Sequence, residues 1–245
     1  MTGKTLARVM IAVLAGIALG GAVVLAIAPR IFVPSQPPLP PPPTITVPRG
    51  ELPTGIVAFE ERVGGSLAGS GFLLELPNGD VIGVTTAHSL GEGHFAPLSF
   101  VAAGRGDVAA SFRALYAPLG RPHTGTHMTS DYVLMTPDAP PDSSLVLRPD
   151  PRGGPQPGER ASLYSGLGDG QGGQRILHGT VERVDASGAW VRMNDVFNPG
   201  LMSGSPMISQ HTGRVVGMVI LMNWVPGTLR IGINPIGEIV RAAQR

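Results

Sequence analysis

Residues 198–209 read "NPGLMSGSPMIS" and set Ser203 between Met202 and Gly204, inside a run of glycine and proline breaks. A serine hydroxyl is a poor nucleophile until a neighbouring base takes its proton, and that base works best when a third group orients it. Two residues elsewhere fit those roles. His88 ends the apolar stretch "GVTTAHSL", where the chain changes direction, and Asp131 opens "DYVLM" after the turn-rich "RPHTGTHMTS". The chain order is His, Asp, Ser, with spacings of 43 and 72 residues. Taken singly, each residue has a plain structural reading: a strand-end histidine, a turn-capping aspartate, a serine in a Gly/Pro turn. Together and in this order they point to acyl transfer.

Two other groupings could carry different chemistry. His123, His127 and Asp131 are four apart and would share one face of a helix as a metal site, but Pro122 and Gly125 oppose a helix there. His88, Glu92 and His94 have loose ligand spacing broken by two glycines. Neither makes a metal or a cofactor part of the expected chemistry, so activity should survive chelators.

The elements that must position the triad are short. Of 245 residues, 35 are Gly, 25 are Pro and none is Cys. That composition favours turns and strands over long helices, and it rules out disulfides and thiolate zinc sites. From residue 51 onward short apolar runs alternate with turns. "GSGFLLEL" and "DVIGVTTAHSL" flank Asn78-Gly79, a strong hairpin signal. "TGIVAFEE", "HFAPLSFVAA", "VAASFRALYA" and "DYVLMTP" complete about six strands. A Pro/Gly-rich connection over residues 137–158 precedes about six more, from "RASLYSGL" to "LRIGINPI", and "GEIVRAAQR" reads as a short terminal helix. The fold expected is all-β: two antiparallel six-stranded barrels, roughly residues 51–137 and 159–236, with a short C-terminal helix. His88 and Asp131 fall on the first barrel and Ser203 on the second, so a cleft between them would assemble the site.

"TTAHSL", "SDYVLM" and "GLMSGSPMI" resemble the three active-site motifs of chymotrypsin/trypsin-fold serine proteases. The likeness is nearest to bacterial, cysteine-free members such as the HtrA-like group, here with no PDZ domain expected. It covers about residues 55–240. The resemblance implies a serine endopeptidase acting on protein or peptide substrates through an acyl-enzyme, with Ser203 as nucleophile, His88 as general base and acid, and Asp131 holding the imidazole. It implies an oxyanion hole from the backbone N–H groups of Leu201 and Ser203. It further places Phe197 at the base of the substrate pocket and Ile220, Leu221 and Met222 along its wall, an apolar lining suited to small or medium aliphatic residues. Asp195, two residues before Phe197, would favour Arg or Lys only if the loop were offset. There are departures: Leu201 stands where the family usually has glycine, and Met202 where it usually has aspartate. These leave a second reading open, a catalytically inactive protease-fold module used for binding.

The first 50 residues carry +4 and no acid, whereas the remainder carries −3. A mildly acidic body argues against nucleic acid as a partner. Residues 9–28 form an uncharged apolar run of 20, about 30 Å as a helix, preceded by Lys4 and Arg8. The expectation is an N-terminal transmembrane signal-anchor over residues 1–30, with the protease domain on the extracytoplasmic side, in a bacterial periplasm or at the cell surface. A cleaved signal peptide is the rival, but Pro29 follows the small-x-small site Ala26-Ile27-Ala28. Ala12, Gly16 and Gly20 offer a small-residue face for pairing of such helices. Residues 31–50 form a Pro-rich linker, with 8 prolines between Pro34 and Pro48, expected as an extended spacer before the protease domain at 51–245.

Overall fold

The computed structural model describes residues 36–90, 95–169, 173–225 and 227–245. The apolar run at 9–28 lies outside them, and among the described residues no helix is long and apolar enough to cross a membrane.

Six antiparallel strands close the first barrel: β1 (Phe59–Val63), β2 (Ser66–Glu75), β3 (Val81–Thr85), β4 (Leu98–Ala102), β5 (Val108–Leu115) and β6 (Val133–Pro137). Their order is β1-β4-β5-β6-β3-β2, and β1–β2 pairing completes the ring. The Asn78-Gly79 turn joins β2 to β3 as the dipeptide predicts. Gly79 has φ +88°, and Leu76 N–H and Gly79 N–H close the turn on Asp80 and Leu76 carbonyls at 2.8 and 2.9 Å. Inside this barrel the Phe59 and Phe100 rings stack with centroids 6.0 Å apart, and Phe112 meets Phe100 edge-on at 4.7 Å. The rings reach across only because the strand opposite carries Gly71, where a Cβ would stand 2.2 Å from Phe100 Cζ. Gly71→Ala is therefore expected to destabilise the fold by about 1–3 kcal/mol, the usual cost of overpacking, read as a lowered denaturant midpoint at unchanged slope.

The connection after β6 is less featureless than its prolines suggest. It holds a 3₁₀ turn (Ser143–Leu145) and the two-residue β7 (Val146–Leu147), which adds in parallel to β2. The second barrel runs β10-β13-β12-β11-β8-β9, from β8 (Arg160–Gly168), β9 (Gln174–Asp185), β10 (Gly188–Met193), β11 (Pro206–Ser209), β12 (Val215–Val225) and β13 (Thr228–Pro235). Helix α1 (Ile236–Ala243) follows and buries Ile236, Ile239 and Ala242. The barrels share one apolar cluster at their contact, with Phe72, Leu74 and Leu134 from the first and Tyr164, Ile208 and Ile220 from the second.

The chain from Leu39 to the C-terminus forms one unit, so much of the proline-rich run belongs with the barrels. His211 Nε2–H donates to the Val47 carbonyl at 2.8 Å, and Gly50 N–H donates to His211 O at 3.0 Å. Pro41 O lies where a side chain on Gly158 would project. This part of the linker is laid along the second barrel rather than standing free as a spacer, with the Val47 carbonyl and the Gly50 N–H both partnered by His211.

Candidate active site

His88 starts a 3₁₀ turn (His88–Leu90) directly after β3, and Asp131 sits two residues ahead of β6. Since β3 and β6 are paired, with Thr85 opposite Val133, the two side chains are delivered to the same rim of the first barrel. His88 Nδ1–H donates to Asp131 Oδ2 at 2.7 Å. Asp131 is fully buried and accepts from five N–H groups. Ala87 N–H and His88 N–H reach Oδ1 at 2.8 and 3.1 Å, while both ring nitrogens named Nδ1, of His88 and His123, and the His123 amide reach Oδ2. Burial alone would raise the Asp131 carboxyl. The hydrogen bond and charge of His88, helped by the bonds from His123, outweigh it and hold the group below its ordinary value. The carboxylate thus fixes the His88 tautomer: with the proton on Nδ1, Nε2 is left as an acceptor.

His123 has a role here that its spacing in the sequence did not suggest. The His123–His127–Asp131 grouping does not form. Instead His123 joins Asp131 and His88, whose ring lies edge-on at 5.1 Å. The ligand atoms of these three side chains fall within 4.8 Å of one another, and Nδ1 of each histidine is engaged by a hydrogen bond to Asp131 Oδ2. Of the other grouping, Glu92 and His94 lie outside the described residues.

Ser203 occupies the turn between β10 and β11. Met202 N–H bonds Pro199 O at 3.1 Å, Ser205 N–H bonds Met202 O at 3.0 Å and Gly204 N–H bonds Val219 O at 2.8 Å. The N–H groups of Leu201 and Ser203 are left without an acceptor among the described residues. Leu201 is at φ +63°, the one non-glycine residue with positive φ among those described. A bulky residue held there stores strain of order 1–3 kcal/mol, and such strain gathers at functional turns. Gly204, at φ +90°, must be glycine, since a Cβ would meet Ser70 O at 1.8 Å. Met202 is buried in the core of the second barrel. The Ser203 hydroxyl donates to the Ile220 carbonyl at 3.2 Å, and no hydrogen bond joins it to His88.

Beside Ser203 is a cavity of about 170 Å³, lined by Pro199, Gly200, Leu201, Ser203, Val219, Leu221, Met222 and Ile231. Of the residues expected along the pocket wall, Leu221 and Met222 line this cavity. Phe197 and Ile220 do not line the cavity. Phe197 packs against the second barrel's core beneath the Arg175 guanidinium, 5.3 Å from its ring centroid, and Ile220 turns into the cluster between the barrels. A slip between Val219 and Leu221 in the β12–β13 register shifts the alternation there, so Ile220 offers its carbonyl rather than its side chain to the site.

Two closed antiparallel barrels with histidine and aspartate on the first and serine on the second make this a chymotrypsin-type fold, that of the trypsin-like serine protease domains. Solved structures agree. The apo MamO protease domain of Magnetospirillum magneticum superposes with TM-score 0.50 at 17% identity, over 77% of this chain and 96% of that one. Kallikrein-related peptidase 10 gives 0.55 at 14%, over 78% and 95%. A mutant of human heparin binding protein gives 0.53 at 13%, over 80% and 93%. No protein-family description and no curated relative matches the chain.

Proposed function

We propose that the chain is a membrane-anchored serine endopeptidase that cleaves peptide bonds through an acyl-enzyme. The observation that carries this reading is the strained nucleophile turn, where the Leu201 and Ser203 N–H groups are left unclaimed on either side of Met202. In the mechanism, rotation about the Ser203 Cα–Cβ bond releases Oγ from the Ile220 carbonyl and brings it to His88 Nε2. His88 takes the proton as Oγ attacks the scissile carbonyl, and Asp131 stabilises the imidazolium. The oxyanion accepts from the Leu201 and Ser203 amides. His88 then protonates the leaving amine, and water repeats the sequence to free the acid. The test is labelling by a fluorophosphonate probe, which should modify Ser203 and no other residue.

One observation favours a second reading, a protease-fold module that binds without cleaving: the Ser203 hydroxyl bonds Ile220 O and not His88. Wild-type protein that refuses the probe while binding peptide would support that reading.

The cavity beside Ser203 is small and walled by aliphatic side chains. Each well-fitted aliphatic group buried there gains roughly 1–3 kcal/mol, whereas an unpaired cation is penalised. Cleavage after Ala, Val or Leu is the expected result of a peptide-library profile. Dominance of Arg or Lys at that position would mean that an acid such as Asp195 enters the pocket. The anchor and its topology rest on Lys4 and Arg8 ahead of the apolar run. Externally added protease should digest the domain in spheroplasts, and a domain protected until the inner membrane is lysed would reverse the orientation.

A further inference from the structure

Ser70, in β2, is fully buried and faces the nucleophile turn from the first barrel. Its N–H donates to Ser203 O at 2.9 Å, and its Oγ donates to the carbonyl oxygen of Leu201, also at 2.9 Å. Its own carbonyl accepts from Thr85 Oγ1 at 2.8 Å, and Thr85 Oγ1 lies 2.7 Å from Glu61 Oε2. A threonine hydroxyl has one proton to give. If that proton goes to Ser70 O, the contact with Glu61 is a hydrogen bond only when the carboxyl carries a proton and donates it. Two facts agree with a neutral Glu61. The side chain is fully buried, and Oε1 has no hydrogen-bond partner, a state that a neutral acid tolerates far better than a carboxylate. Burial pushes the group up to about 7, against the opposing pull of Thr85 and of the His88 charge. The other neighbours facing it, Gly69 and Ser70 of β2, Ser89 and the paired Phe100 of β4, bear no charge.

The Leu201 carbonyl direction is set by ψ, and for a residue with a Cβ the small left-handed basin pairs that ψ range with positive φ, so holding the carbonyl favours the left-handed conformation. Leu201 lacks the freedom of glycine and is 48% exposed, so its side chain contributes little anchoring of its own. We propose that Ser70, backed by Thr85 and Glu61, is the positioning residue that holds Leu201 left-handed and keeps its N–H aimed at the oxyanion. This rests on the protease reading for its consequence, though the clamp itself can be observed without turnover. Ser70 touches no substrate: it acts through the Leu201 peptide.

The direct readout is the Leu201 ¹³Cα and amide shift, recorded in Ser203→Ala protein with and without Ser70→Ala. Loss of the left-handed shift is expected on removing the hydroxyl; an unchanged Leu201 overturns the proposal. Thr85→Val removes the donor to the Ser70 carbonyl, and it decides the same question by the same shift if Ser70→Ala does not fold. In active protein, Ser70→Ala should lower kcat about 10²-fold with KM little changed, the scale of one lost oxyanion donor. Adding Leu201→Gly should recover most of that loss, because glycine adopts the left-handed turn without steric strain. A packing role for Ser70 would give no such recovery, so equal loss in the single and double variants overturns the clamp. Wild-type protein that fails to react with fluorophosphonate defeats the protease reading alone and leaves the Leu201 shift to decide on Ser70.

Discussion

Ser203→Ala and His88→Ala are each expected to lower kcat for peptide hydrolysis on the order of 10⁵–10⁶-fold, and the double variant should be no worse than either alone. The reason is that nucleophile and base act as one unit. Without the imidazole the hydroxyl keeps its proton, and without the hydroxyl the imidazole has nothing to activate. The residue of catalysis left over comes from the two free amides and from binding, which neither change touches. The variants should fold. Ser203→Ala removes one hydrogen bond, the 3.2 Å contact with Ile220 O, worth about 1 kcal/mol or less. His88 is partly exposed, and Asp131 would keep its other four donors. Steady-state rates and thermal midpoints measured on the same samples separate lost chemistry from lost structure. Undiminished turnover in Ser203→Ala would remove this serine from the mechanism.

The parts of the molecule that could be read from its sequence are those governed by local periodicity. The β2–β3 hairpin follows from Asn78-Gly79 between two apolar runs, and α1 follows from the spacing of Ile236, Ile239 and Ala242. Strand β1 begins later than "TGIVAFEE" suggests. The reason is tertiary: the Gln174 side chain accepts from Val57 N–H and donates to Ala58 O, taking backbone bonds that a neighbouring strand would otherwise make. Strand β7 is two residues long and has no period to detect. At the site, His88, Asp131 and Ser203 are visible because each lies in a turn within three residues of a strand. His123, Ser70 and Glu61 are not, since their roles arise from contacts across the fold. Glu60 and Glu61 look alike as paired surface acids, and only the closed barrel decides that Glu61 points inward while Glu60 pairs with Arg62.

Asp131→Asn is the second change expected to be nearly as damaging, with kcat lower by roughly 10⁴-fold. Five N–H groups converge on two carboxylate oxygens, and asparagine offers one oxygen and one NH₂. If the oxygen stays with the Ala87 and His88 amides, the NH₂ faces the Nδ1 atoms of His88 and His123 and the His123 amide. His88 must then shift its proton to Nε2, the nitrogen that has to accept from Ser203, and His123 N–H loses its acceptor. If the amide flips, the two backbone donors are stranded instead. Either way a buried N–H goes unpaired, at a cost of about 1–3 kcal/mol in stability. The pH dependence distinguishes this account from a general loosening of the loop. Asp131 titrates below its ordinary value of 3.8 in the folded chain, so its contribution is complete above that value and is lost as pH falls towards and through the lower folded-state value. The wild-type thermal midpoint should therefore exceed that of Asp131→Asn at neutral pH, and the gap should close below about pH 4. A gap that stayed constant down to pH 2 would show that the carboxylate charge is not what holds the two histidines in place.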